Sequence, residues 1–150
     1  MSLYETISTH LKLAMKSGDN MKRDTLRLLQ SAVKNTAIEK RKAPAEFSDE
    51  EMQDVIRRLV KQHKDSIEQY RAGNRSDLVE KEEAELDVLS SYLPQAMSEE
   101  ELRALVEIAL EEAKLTSKSQ MGQAMGIVMK KIAGRADGDA VRRIVESLLV

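Results

Sequence analysis

No cysteine occurs anywhere in the 150 residues. That excludes a disulfide scaffold, a thiol nucleophile and a thiolate metal site together, and it makes a reducing compartment the default expectation. Aromatic residues are almost as scarce. Tyr4, Phe47, Tyr70 and Tyr92 are the whole set, 3% of the chain. A platform for single-stranded nucleic acid stacks bases on several rings, and too few are available here. Only two prolines and six glycines interrupt the chain. No apolar run approaches membrane-span length, and Glu5, His10 and Lys12 break the first stretch, so no signal-peptide core is read there. The expectation is a chain without membrane contact, resident in the cytoplasm. Net charge is −2, so no global field gathers nucleic acid, and any such role needs a local patch.

What remains is a helix-forming mixture of Leu, Ala, Glu, Lys, Arg and Met, with 41% apolar and 33% charged residues. Apolar residues recur at helical spacing and never alternate with period two over a useful length. Leu3, Ile7, Leu11 and Ala14 form the first stripe, closed by Ser17 and Gly18. Asn20 can cap the second helix, whose stripe is Leu26, Leu29, Val33 and Ala37, flanked by Leu28 and Ala32. That helix is predicted to run to about Lys42, ahead of Pro44. Ser48 with Glu51 is a capping box for a long third helix bearing Met52, Val55, Ile56, Leu59, His63, Ile67 and Tyr70. Asn74 or Ser76 caps a fourth, with Leu78, Val79, Leu86, Leu89 and Leu93 inward until Pro94 halts it. A second capping box, Ser98 with Glu101, opens a fifth helix bearing Leu102, Leu105, Val106, Ala109, Leu110 and Ala113. Ser117 or Ser119 starts a sixth, with Met121, Met125, Val128, Met129 and Ile132 inward and Gly134 just past its end. Gly138 or Asp139 opens a seventh, with Val141, Ile144, Val145 and Leu148 inward. The predicted fold is all-α: a four-helix lobe over 1–94 and a three-helix lobe over 95–150.

No catalytic, cofactor or metal constellation is expected from these residues. The two histidines, His10 and His63, are far apart in sequence. His63 lies on an inward stripe and reads as a packed, hydrogen-bonded side chain, while His10 reads as partly exposed. The serines are helix caps or lie inside helices, with no strained elbow around any of them. Phosphate-loop spacing is missing.

Charge is uneven. From Asn20 to Lys42 there are seven basic residues, including Arg27 and Lys34, against two acids. From Lys114 to Val150 there are again seven, including Lys130, Lys131, Arg135, Arg142 and Arg143, against three. Solvated helix faces and dipole complementarity account for such runs. Phosphate contacts are the functional reading, and these position a nucleic acid without reading its sequence. Gly122 and Gly126 lie four apart inside the sixth helix, where each glycine costs about 1 kcal/mol relative to alanine. The expected reason is close approach of a neighbouring helix, with a binding groove as the alternative. The segment Gly134-Arg135-Ala136-Asp137-Gly138 reads as a tight connection, or as an exposed basic loop offering amides to a phosphate.

Three stretches carry a resemblance. Leu26 to Asn35 with Ile38 to Arg41, Lys61 to Tyr70 with Asn74 to Leu78 and Leu89 to Pro94, and Met125 to Lys130 with Gly134 to Gly138 together resemble YqeY proteins across nearly the whole chain. The region from Ser119 to Val150 is in turn similar to the tail of the B subunit of tRNA-dependent amidotransferases, at Gly126, Met129, Lys130, Gly134, Arg135 and Ala136. That resemblance implies a chain that contacts tRNA and helps dock it while carbon–nitrogen ligase chemistry, with glutamine as amido donor, occurs elsewhere. The chain departs from the tail at Ala133, where a basic residue is expected. The implied partner is tRNA; a protein partner without RNA is the alternative.

Overall fold

The computed structural model describes residues 1–150. It contains seven α-helices and no strand, so the all-α expectation holds. They are α1 (Leu3–Ser17), α2 (Asn20–Lys40), α3 (Asp49–Ala72), α4 (Ser76–Ser90), α5 (Glu99–Ala113), α6 (Met121–Ile132) and α7 (Gly138–Leu148). Short 3-10 turns at Pro44–Glu46 and Lys118–Gln120 precede α3 and α6. The chain forms two compact units, Met1–Leu93 and Pro94–Val150. No helix is long and apolar enough to cross a membrane.

Local chemistry fixes the helix boundaries. Ser48 and Ser98 each accept from the backbone N–H three residues on, and Glu51 and Glu101 reach back to them, as the two capping boxes predict. A third box, Ser2 with Glu5, starts α1. Three expected starts shift. Asp19, not Asn20, caps α2, because Gly18 turns into the left-handed region at φ +75° and puts the Asp19 carboxylate at the cap position. The cap position of α4 is taken by Arg75, which makes no side-chain cap bond; Asn74 occupies the turn at φ +56° and Ser76 is already helical. Ser117 caps the 3-10 turn, so α6 itself begins later, at Met121. At its far end α2 stops at Lys40, short of the expected Lys42, because Arg41 adopts φ +52°.

In the first unit, α1 to α4 enclose Ile7, Leu11, Leu26, Leu29, Val33, Met52, Val55, Ile56, Leu59 and Leu89, with Phe47 buried among them. The inward stripes of α1, α2 and α3 are the predicted ones; flanking Leu28 stays 43% exposed. α3 and α4 pack as a hairpin about the Gly73–Arg75 turn. α4 is the thinnest contributor, burying only Val79 and Leu89.

The second unit has its own core of Leu102, Val106, Ala109, Leu110, Leu115, Ala124, Val128, Ile132, Val141, Ile144, Val145 and Leu149. On α6 the buried stripe is Ala124, Val128 and Ile132, four residues apart, which corrects the expected inward Met129. Met129 is 36% exposed, because its position lies about one residue off that stripe. The chain end is tied down: the Val150 N–H donates to the Thr116 carbonyl at 2.8 Å, and the Lys118 N–H donates to the Val150 carbonyl at 3.2 Å.

Candidate nucleic-acid interface

The connection between α6 and α7 is built by two successive left-handed residues, Ala133 at φ +50° and Gly134 at φ +78°. Only glycine takes that conformation freely, so Gly134 is where the reversal is made. The loop is then fastened to the segment ahead of α5. The Met97 N–H donates to the Arg135 carbonyl at 3.0 Å, and Arg135 Nε donates to the Gln95 carbonyl at 3.1 Å. The amides of Ala133 and Arg135 bond the Met129 and Ile132 carbonyls at 3.2 Å each. These two amides thereby close the end of α6.

Two open clefts flank this loop. One, of about 420 Å³, is lined by Arg135 and Arg143 together with Met97, Leu102, Glu99 and Asp137. The other, of about 490 Å³, is lined by Arg135 and Lys131 together with Met97, Leu105, Ile108 and Glu101. Arg135 and Met97 thus belong to both walls. The structure brings three of the predicted cations, Lys131, Arg135 and Arg143, around one loop. Lys130 and Arg142 are exposed on α6 and α7 but line neither cleft. Lys131 is paired with Glu112, and Arg142 Nε lies 3.6 Å from Glu146 Oε1. Lys130 and Arg143 form no ion pair within the chain. Arg27 and Lys34 are exposed on α2, two helical turns apart, and belong to the first unit.

The expected role of Gly122 and Gly126 is corrected. Both are exposed, and a Cβ added at either would meet nothing within 4 Å. No neighbouring helix approaches them, because the face of α6 that packs is the Ala124–Val128–Ile132 stripe. Sequence reasoning also missed Met97 and Ile108 as cleft walls. For Ile108 the signal was present, as a large apolar residue lying off the inward stripe of α5 and 54% exposed.

The first unit holds a second polar arrangement. His63 is 6% exposed and hydrogen-bonded, as its stripe position predicted. Its Nδ1 lies 2.9 Å from the Leu59 carbonyl, and its Nε2 faces Glu85 Oε2 at 2.9 Å and Glu82 Oε2 at 3.6 Å. His10 Nδ1 lies 2.7 Å from the Tyr92 hydroxyl, whose pKa burial pushes up.

Comparison with known families settles the lineage. The model of the Yqey-like protein family matches residues 4–149. The chain belongs to the YqeY-like family. Among curated proteins it is similar to "Altered inheritance of mitochondria protein 41, mitochondrial" of several fungi. The relative from Pyrenophora tritici-repentis is 34% identical over 95% of this chain and 78% of its own length. The one from Lachancea thermotolerans is 40% identical over 73% of this chain and 58% of its own length. The one from Saccharomyces cerevisiae strain S288c is 40% identical over 61% and 49%. The chain thus spans between about half and four fifths of the relatives it matches. These names overturn the cytoplasmic expectation. It rested on the absence of cysteine and of an apolar leader, and a mitochondrial interior is compatible with the first while its transit peptides lack the second.

Proposed function

We propose that this YqeY-like chain is a non-catalytic tRNA-binding protein whose second unit contacts the phosphate backbone. The observation that carries this is the convergence of Lys131, Arg135 and Arg143 on the α6–α7 loop, with Lys130 and Arg142 exposed beside it. Three long cations around one ordered loop suit phosphates spaced along a folded backbone, where position matters and base identity does not. The resemblance of Ser119 to Val150 to the amidotransferase tail supports the same reading. It makes carbon–nitrogen ligase chemistry a property of an associated enzyme. The relatives' names support a mitochondrial setting for it. Arg27 and Lys34 on α2 are the second contact.

The test is tRNA binding at low salt. Lys130 and Arg143 are the informative positions, because neither is held in an ion pair and their loss leaves the fold intact. Lys130→Ala with Arg143→Ala is expected to weaken binding by about tenfold or more, roughly uniformly across tRNA sequences. Unchanged affinity in the double variant contradicts the proposal.

One observation favours a second reading. Met97, Ala104, Leu105 and Ile108 give one cleft an apolar wall, and Glu99, Glu101 and Asp137 stand among the cations. Such a surface also suits a protein partner that binds without RNA. Partner capture that survives nuclease treatment, together with no tRNA binding at low salt, selects it.

A further inference from the structure

His63, Glu82 and Glu85 stand on the facing sides of α3 and α4, outside the interface described above. The Leu59 carbonyl can only accept a hydrogen bond, so the proton of a neutral imidazole sits on Nδ1. Nε2 then carries a lone pair. That lone pair, on a side chain more than nine-tenths buried, is aimed at two carboxylate oxygens at 2.9 and 3.6 Å. Neither carboxylate can donate to it when ionised. In that neutral form three lone-pair donors converge on one point, an arrangement that a cation would satisfy. A backbone carbonyl fixing Nδ1–H while Nε2 points into a cluster of donors is the way proteins orient a metal-binding histidine.

We propose that these three side chains bind a divalent transition-metal cation of the zinc class, clamping α4 to α3. The spacing fits one ion. Ligand atoms bonded at about 2.1 Å to a common cation lie roughly 3.0 to 3.4 Å apart, for octahedral and tetrahedral arrangements respectively. The observed separations bracket those values, and all three donor atoms lie within 4.8 Å of one another, so a small carboxylate rotation closes the set. The charge fits as well: a dication neutralises two carboxylates and leaves the imidazole neutral. One nitrogen and two oxygens suit zinc, cobalt or manganese better than magnesium or calcium, which take oxygen alone. Glu82 and Glu85 side chains are 20% and 14% exposed, enough for an ion to enter and for water to complete its shell. Three ligands from two helices would fasten α4, which buries only Val79 and Leu89.

The experiment uses the full, untagged chain after chelator treatment, titrated with cobalt(II) and zinc(II). One cobalt(II) per chain with visible ligand-field absorption is expected, displaced by zinc and not by excess magnesium. Glu82→Gln and Glu85→Gln keep shape and should preserve the helical circular dichroism, yet lower affinity by about tenfold or more. Glu83→Gln, an exposed neighbour paired with Arg71, should bind like the parent. Failure of the parent to take up one equivalent, or parental affinity in the two glutamine variants, overturns the site. So does nitrogen NMR showing both His63 ring nitrogens protonated and unmoved by the ion, since the trio is then an ion pair bridged by a proton.

Discussion

Leu89→Ala is the perturbation that most sharply tests how α4 is held. Leu89 is fully buried, and Val79 is the only other buried residue of α4. Removing three carbons from it forfeits about 2.4 kcal/mol of transfer free energy at ~0.8 per methylene. The cavity left behind raises the total to between about 2.7 and 5 kcal/mol. Little else on the helix compensates, because Leu78, Leu86 and Val88 are only partly buried. For a unit of this size each kcal/mol moves the midpoint by roughly 4 to 8 °C. A fall of more than about 10 °C is therefore expected in thermal unfolding followed by circular dichroism. Hydrogen exchange should place the loss in the first unit, with α4 amides the most affected. Leu28→Ala is the control, since 43% exposure leaves little to lose. A Leu89→Ala cost no larger than that of Leu28→Ala would refute the packing argument for α4.

Two other outcomes follow from the same physics. Gly126→Ala should stabilise the second unit by about 0.5 to 1 kcal/mol, because a methyl group there meets open space and the helix gains a better former; a destabilised variant in urea titration would restore the close-approach reading. Glu51 is held down to a pKa of about 2 by hydrogen bonds from Lys42 and Lys40 and from the Ser48 backbone. Because the folded chain depresses this group, its contribution is complete above its ordinary value of 4.5 and disappears as pH falls toward 2. The urea midpoint of Glu51→Gln should accordingly lose part of the parent's decline across that window; identical pH profiles would contradict it.

The apolar stripes of α1, α2, α3, α5 and α7 could be read from spacing alone, because Leu, Ile and Val at every third or fourth position leave one face to bury. α6 was harder. Its sequence carries two Met-Gly pairs, and small Ala124 carries the buried stripe while Met129 lies beside it, so side-chain size misdirected the reading. Caps were ambiguous wherever adjacent polar residues competed, as at Asp19 and Asn20. The decision fell to the φ angle of the residue before, a property of the closing helix. The cations of the second unit were visible as a run of charge. Their grouping was not, since it depends on Arg135 bonding Gln95 across 40 residues. The histidine–glutamate trio was hidden for the same reason: 22 residues separate His63 from Glu85, and only the α3–α4 register brings them face to face.

The salt dependence of tRNA binding tests the central claim most directly. Phosphate contact by three to five cations predicts a slope of log K against log salt of roughly −2 to −4.5, at 0.7 to 0.9 per contact. Affinity should then fall by about 16- to 500-fold between 50 and 200 mM salt, and Lys130→Ala with Arg143→Ala should flatten the slope by about 1.4 to 1.8. Binding that ignores salt, or no binding at 50 mM, contradicts the account.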